Sequence, residues 1–128
     1  MKNQNFLSSF KNAANGFIHV IRNERNMRFH IVAAAVIIAL SFFYRLKADE
    51  LAIIFIAIGA VIASELFNTA VEVLVDIIVD VYHPKAKIIK DIAAGAVTVS
   101  AFAAAAAGVI IFYGRVLSSM EGIIRWIR

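Results

Sequence analysis

The chain has no cysteine, which excludes disulfides, thiolate nucleophiles and thiolate zinc sites together. Proline occurs once, at Pro84, and six glycines are spread along the chain. None of them forms a glycine-rich phosphate loop, and neither a kinase catalytic-loop pattern nor a nucleophile elbow occurs. A soluble nucleotide-binding fold is therefore excluded, and any nucleotide site has to be built from helix faces. His19, His30 and His83 are too scattered for a zinc site and read as interfacial hydrogen-bonding groups. A cleaved signal peptide is not expected either, because Lys11, Arg22, Glu24, Arg25 and Arg28 interrupt the first thirty residues.

What the chain does have is apolar residues. They make up 62% of its 128 positions, and the mean hydropathy is +0.82. Soluble domains hold roughly 45–50%, so the expected solvent is lipid. The length allows one domain, residues 1–128, with little interior of its own in which to hide charge, and self-assembly follows as an expectation. The formal net charge is +4, from thirteen Lys and Arg against nine Asp and Glu. These basic residues flank apolar runs and do not interleave with aromatics as a nucleic-acid stacking surface requires. Anionic lipid, not nucleic acid, is the partner that this pattern fits.

An all-α integral membrane fold is predicted, with an N-terminal amphipathic surface helix and three transmembrane helices. Phe6, Leu7, Phe10, Ala13, Ala14, Phe17, Ile18 and Ile21 recur at steps of three and four between Lys11, Asn12, Asn15, His19 and Arg22, which predicts an interfacial helix over about 5–26. Spans are expected at 29–46, 51–81 and 92–113, each near or above the ~17–25 residues that a helix needs to cross the bilayer. Proline disfavours helix in the residue before it, so Tyr82, His83 and Pro84 are expected to end the second span. Gly95, Ser100 and Gly108 supply the small residues that let helices approach in lipid. Lys2, Lys11, Arg22, Arg25, Arg28, Lys85, Lys87 and Lys90 fall on one side, against Arg45, Lys47, Arg115, Arg125 and Arg128 on the other. The positive-inside rule therefore places the N-terminus in the cytoplasm and the C-terminus outside a multi-pass plasma-membrane protein.

The second span carries the unusual chemistry. At about 100° per residue, with Glu65 at zero, Asn68, Thr69, Glu72, Asp76 and Asp80 all fall within about 60° of it. Counted from Leu51 at ~1.5 Å per residue, Glu65 lies roughly 21 Å into a ~30 Å core, with Glu72 near the interface. A carboxylate at that depth costs a few kcal/mol unless it is paired, faces a polar cavity or is used. A structural ion pair is the plain reading, but the second and third spans offer no base inside the membrane, and stacked acids repel unless cations relieve them. Oxygen ligands suit magnesium, which takes one or two carboxylates and completes its shell with water and substrate phosphates. Glu24, among Arg22, Arg25 and Arg28, reads either as a surface ion pair or as a second metal ligand. Lys90 and Asp91 open the third span, where an amine and helix amides can meet phosphate. A cation transporter or channel subunit is the rival from another class, since its pathway also needs intramembrane acids. It does not need acids that continue past the surface to Asp80.

The segments Asn23-Glu24, Glu65-Leu-Phe-Asn68-Thr-Ala-Val-Glu72-Val-Leu-Val-Asp76 and Lys90-Asp91-Ile-Ala-Ala-Gly95 resemble the small prokaryotic membrane lipid kinases, a family that includes diacylglycerol kinase and undecaprenol kinase. The resemblance implies a homotrimer whose site lies at the cytoplasmic interface between subunits, with ATP as phosphate donor, Mg2+ as cofactor and a lipid alcohol as substrate. It implies that Glu65 is the general base at the lipid hydroxyl and that Glu24 and Glu72 are metal ligands. Asn68, Asp76, Lys90 and Asp91 match positions around the ATP phosphates or behind the catalytic carboxylate, and Asp80, Tyr82 and His83 match a segment near the nucleotide. His30 and a surface helix without tryptophan depart from the Gram-negative diacylglycerol kinase pattern. Both departures favour undecaprenol as acceptor, with diacylglycerol as the alternative.

Overall fold

The computed structural model describes residues 6–127, with side chains as far as Met120; Lys2, Asn5 and Arg128 fall outside it. Within that range the chain is all-helical: α1 (Phe6–Asn23), α2 (Arg25–Phe43), α3 (Ala48–Ile78) and α4 (Pro84–Ile127). Three of the helices contain stretches long and apolar enough to cross a membrane, Arg25–Phe43, Ala48–Ile78 and Pro84–Met120. Large apolar side chains such as Ile56, Phe67, Phe102 and Ile110 stand exposed along them, as expected where lipid is the solvent.

The helix boundaries differ from those expected. The surface helix and the first span do not leave residues 27 and 28 as a linker. A single residue, Glu24, breaks them apart with extended backbone (φ −99°, ψ 121°), and its N–H still closes α1 on the Val20 carbonyl at 2.8 Å. At its far end α2 stops at Phe43 instead of residue 46. Arg45 adopts φ 50°, and the Leu46 and Arg45 amides turn back to the Ser41 and Phe42 carbonyls at 3.0 and 3.1 Å. This is the reciprocal pair of a Schellman stop, with arginine where glycine is usual. Left-handed backbone costs a side chain ~1–2 kcal/mol, partly offset by the ~0.5–1 kcal/mol entropy that glycine loses on ordering. Arg45→Gly is accordingly expected to stabilise the protein by about 0.5 kcal/mol, read as a small rise in the thermal unfolding midpoint in detergent.

α3 ends at Ile78, three residues before the expected Val81, and Val79 is already extended (φ −120°, ψ 96°). Asp80 therefore leaves the acidic face of α3 and joins the exposed connector with Tyr82 and His83. Pro84, expected only to stop a helix, begins α4, since its missing N–H and fixed φ suit a first helical position. Lys85, Lys87 and Lys90 thus belong to the opening turns of α4. α4 also runs past Tyr113 to Ile127, because nothing after Tyr113 breaks it.

α3 and α4 pack along their lengths, joined by side chains at three heights. Lys90 Nζ meets Asp76 Oδ1 at 2.5 Å, Ser64 and Ser100 share a hydroxyl hydrogen bond at 2.8 Å, and Arg115 donates to both carboxylate oxygens of Glu50 at 2.9 and 2.7 Å. The middle bond is worth about 0.6 kcal/mol by the average for such pairs in lipid. Both Arg115–Glu50 bonds come from Nη2 and span 65 residues of sequence, and Glu50 also accepts the Lys47 amide at 2.9 Å, anchoring the start of α3. α2 packs on α3, α1 leans on both, and Met27 of α2 is fully buried.

Candidate active site

The junction of α1 and α2 faces the middle of α3. Glu65, Asn68 and Thr69 of α3 are buried, as are Met27 of α2 and Val20 of α1. Thr69 donates its hydroxyl to the Glu65 carbonyl at 3.0 Å, absorbing one polar group within the helix. The carboxylate of Glu65 is treated differently. It is 1% exposed, and Oε2 has no hydrogen-bond partner among the described residues. Its electrostatic neighbours are His30, Glu24 and Glu72. Two further carboxylates therefore stand near a buried one, while no Lys or Arg among the described residues is paired with it, and the structural ion-pair reading of Glu65 finds no partner among them.

Asn68, one turn from Glu72, donates Nδ2 to Glu72 Oε1 at 3.0 Å. This fixes the Glu72 side chain and leaves Asn68 Oδ1 buried without a partner. Buried polar atoms are ordinarily satisfied, so two orphaned oxygens one turn apart mark a place made for a hydrogen-bond donor or a cation. Glu24 is half-buried, and its side chain is not spent on capping α2. Among the described residues no three acid or imidazole groups converge closely enough to bind a metal by themselves. The described residues thus hold no closed protein-only metal site. That fits a cation held by two carboxylates that draws its remaining ligands from water and substrate phosphates.

Asp76 lies one turn, ~6 Å, beyond Glu72 and is bridged from α4 by Lys90. Lys90 does not pair with its neighbour Asp91, whose carboxylate is held by Lys87 at 2.6 Å as an exposed i,i+4 pair. Asp80, Tyr82 and His83 are exposed, and the His83 ring accepts the Lys85 amide at 3.2 Å. The described residues thus separate into two tiers. Buried Glu65 and Asn68 form one tier with half-buried Glu24, Glu72 and His30. Asp76, Lys90, Asp91, Asp80, Tyr82 and His83 form an exposed polar rim above it.

Two grooves adjoin the cluster. The larger, about 560 Å³, runs between α2, α3 and α4 from Phe29 and His30 to Tyr44 and Val116, and apolar side chains line the stretch between. The smaller, about 370 Å³, lies between α3 and α4 beside Ser64, Asn68 and Ile92. From the sequence His30 is expected to be an interfacial hydrogen-bonding group and a departure that favours undecaprenol, and not a neighbour of Glu65. Its place near Glu65 was hidden because the two lie on different helices, and only a wheel of α2 that puts His30 on the Met27 face hints at it.

The chain matches the family model described as prokaryotic diacylglycerol kinase over residues 11–112. It is similar to the undecaprenol kinase of Bacillus subtilis (strain 168), 44% identical over 107 residues that cover 84% of this chain and 87% of that protein. It is also similar to a diacylglycerol kinase of Synechocystis sp., 37% identical over 117 residues, covering 91% of this chain and 67% of that protein. Both relatives are named as kinases, and the cation-channel alternative is set aside. The chain belongs to the prokaryotic diacylglycerol kinase family and is a membrane lipid kinase.

Proposed function

We propose that this kinase transfers the terminal phosphate of ATP, with Mg2+, to the hydroxyl of undecaprenol, giving undecaprenyl phosphate and ADP. The observation that carries the reading is Glu65, a carboxylate buried to 1% exposure with an unpartnered oxygen and two acidic neighbours. The acceptor follows the relative that is 44% identical, and diacylglycerol is the second reading because the 37% relative is named for it.

Glu65 accepts the proton of the lipid hydroxyl as the alcohol oxygen bonds to the terminal phosphorus and the bond from that phosphorus to ADP breaks. Glu24 and Glu72 are the residues that would hold magnesium, which when bound neutralises charge on the phosphates. Asn68 keeps Glu72 oriented through its 3.0 Å hydrogen bond. Lys90, held at the rim by Asp76, supplies positive charge one turn above Glu72. Asp91, Asp80, Tyr82 and His83 border the nucleotide at the rim. Transfer is direct, and no phosphoenzyme is needed.

The same proposal includes a homotrimer in the plasma membrane with the N-terminus and site on the cytoplasmic side and α1 at the membrane surface. The distribution of Lys and Arg supports the orientation. Phe6, Leu7 and Phe10, exposed on α1, support its contact with lipid or a neighbouring subunit.

The test is phosphate transfer from labelled ATP in mixed micelles, with undecaprenol and diacylglycerol offered separately and in competition, with and without magnesium. Magnesium-dependent transfer that prefers undecaprenol is expected. A preference for diacylglycerol moves the assignment to the second reading, and no transfer to either overturns the proposal.

A further inference from the structure

Two ion pairs join α3 to α4, Asp76–Lys90 at the end near the acidic cluster and Glu50–Arg115 at the other. Lys90 and Arg115 lie ~38 Å apart along α4, more than the ~30 Å of a hydrocarbon layer. The part of α4 that follows Arg115 therefore stands outside the lipid. It continues as unbroken helix to Ile127, a further ~18 Å, and it lies beyond residues 11–112, which match the family model.

The sequence changes character at this point. From Ile92 to Tyr113 α4 is apolar or small on every side, as lipid allows. After Arg115, one side carries Ser118, Ser119, Glu121 and Arg125, while the other keeps Tyr113, Leu117, Met120, Ile124 and Ile127 at steps of four and three. That is the 3.5-residue repeat of a helix that packs along another helix. At about 100° per residue, Tyr113, Leu117 and Met120 fall within ~40° of the direction opposite Arg115. Arg115 is held against α3 by its two bonds to Glu50, so the stripe turns away from its own α3. Tyr113, Leu117 and Met120 are accordingly 66%, 43% and 54% exposed. They also lie off the face of α4 that lines the larger groove through Gly108, Phe112 and Val116. Such side chains need no cover in lipid, but in water their exposure costs free energy.

We propose that Tyr113–Ile127 is a self-association helix, and that its occupant is the same segment of a second copy of this chain, packed parallel and in register outside the membrane. The unbroken helix and the Arg115–Glu50 tie hold the segment upright from the bilayer, whereas a helix lying on the membrane surface would need a break after Arg115. Copies in one membrane share one orientation and one depth, so each residue of the stripe meets its own counterpart at the same height. A helix this short is marginal by itself in water, but α4 already holds its start, and confinement to one membrane raises the effective concentration of the copies. The inference goes beyond the phosphate-transfer reading and uses none of its residues.

Because the chain has no cysteine, a single introduced cysteine reports on one place. Leu117→Cys and Met120→Cys, on the stripe, are compared with Ser118→Cys and Ser119→Cys, on the polar side, in the full chain reconstituted in phosphatidylcholine vesicles and oxidised. A disulfide needs Cα atoms within ~4.4–6.8 Å, so the stripe variants are expected to give roughly tenfold more disulfide-linked dimer than the polar-side variants. That yield is expected to hold when added lipid dilutes the protein. Met120→Glu placed in the Leu117→Cys chain puts like charges face to face and is expected to lower the yield about tenfold, with the thermal unfolding midpoint of the subunit unchanged because Met120 is exposed. Equal yields from the two sides, yields that fall in proportion to dilution, or a Leu117→Cys yield unmoved by Met120→Glu overturn the proposal. So does quenching by brominated lipid of a fluorophore attached to Met120→Cys, which would put the stripe on the membrane surface. None of these readouts involves phosphate transfer, so their failure leaves the kinase reading standing.

Discussion

Glu65→Gln is expected to lower kcat by about 10²–10⁴-fold, the range that a positioned general base contributes, while ATP binding survives. The substitution keeps the shape of the side chain and removes its basicity. It also removes a buried carboxylate that has no Lys or Arg partner among the described residues, a costly group to bury, so the variant is expected to unfold at or above the wild-type temperature. Loss of rate with retained stability separates chemistry from collapse. Initial rates with labelled ATP, equilibrium binding of ATP and thermal unfolding in detergent make the three readouts, and a variant that keeps most of its rate would move the base elsewhere.

The second large effect concerns Glu72 and Glu24. Glu72→Gln preserves the volume at a position already oriented by Asn68 and deletes one negative charge. The magnesium concentration for half-maximal rate is expected to rise on the order of tenfold to hundredfold, the loss that follows from disturbing a metal's surroundings. Glu24→Gln is expected to do the same from the α1–α2 junction. The double variant should fall short of the product of the two effects, because neighbouring sites that share one ligand are not additive. Asp76→Asn provides the contrast. Its carboxylate is exposed and already occupied by Lys90, so its magnesium dependence should move far less. A rate profile in magnesium that is unchanged for both Glu24→Gln and Glu72→Gln would remove them from the metal's surroundings.

The three spans and the acidic face of α3 are legible in the sequence because each rests on a single-helix property. Hydropathy finds the spans, and an angle of about 100° per residue puts Glu65, Asn68, Thr69 and Glu72 together. What is not legible is whatever depends on backbone exceptions or on two helices at once. Nothing in Asn23-Glu24-Arg25 announces that one extended residue redirects the chain. Val79 and Asp80 continue an apolar helical pattern, yet they leave the helix ahead of the proline, which takes Asp80 out of the acidic stack. The lysines after Pro84 resemble a loop because hydropathy counts them as polar, although lysine is a good helix former. The pairs Glu50–Arg115, Asp76–Lys90 and Ser64–Ser100 join residues far apart in sequence, and a single chain without aligned relatives carries no trace of that pairing.

The lengths of α2 and α3 have a consequence for the membrane in which the enzyme works. At ~1.5 Å per residue, the 19 residues of α2 reach ~28 Å, just short of a ~30 Å hydrocarbon layer, whereas the 31 residues of α3 reach ~46 Å. A thicker bilayer is absorbed by α3 with length to spare, but α2 has none, so hydrophobic mismatch falls on α2 first. Glu24 stands at the head of α2, and Glu65 and Glu72 stand on α3. A change in bilayer thickness therefore acts along the line that sets the spacing between these carboxylates, and lipid acyl length becomes a physical input to the geometry of the proposed site.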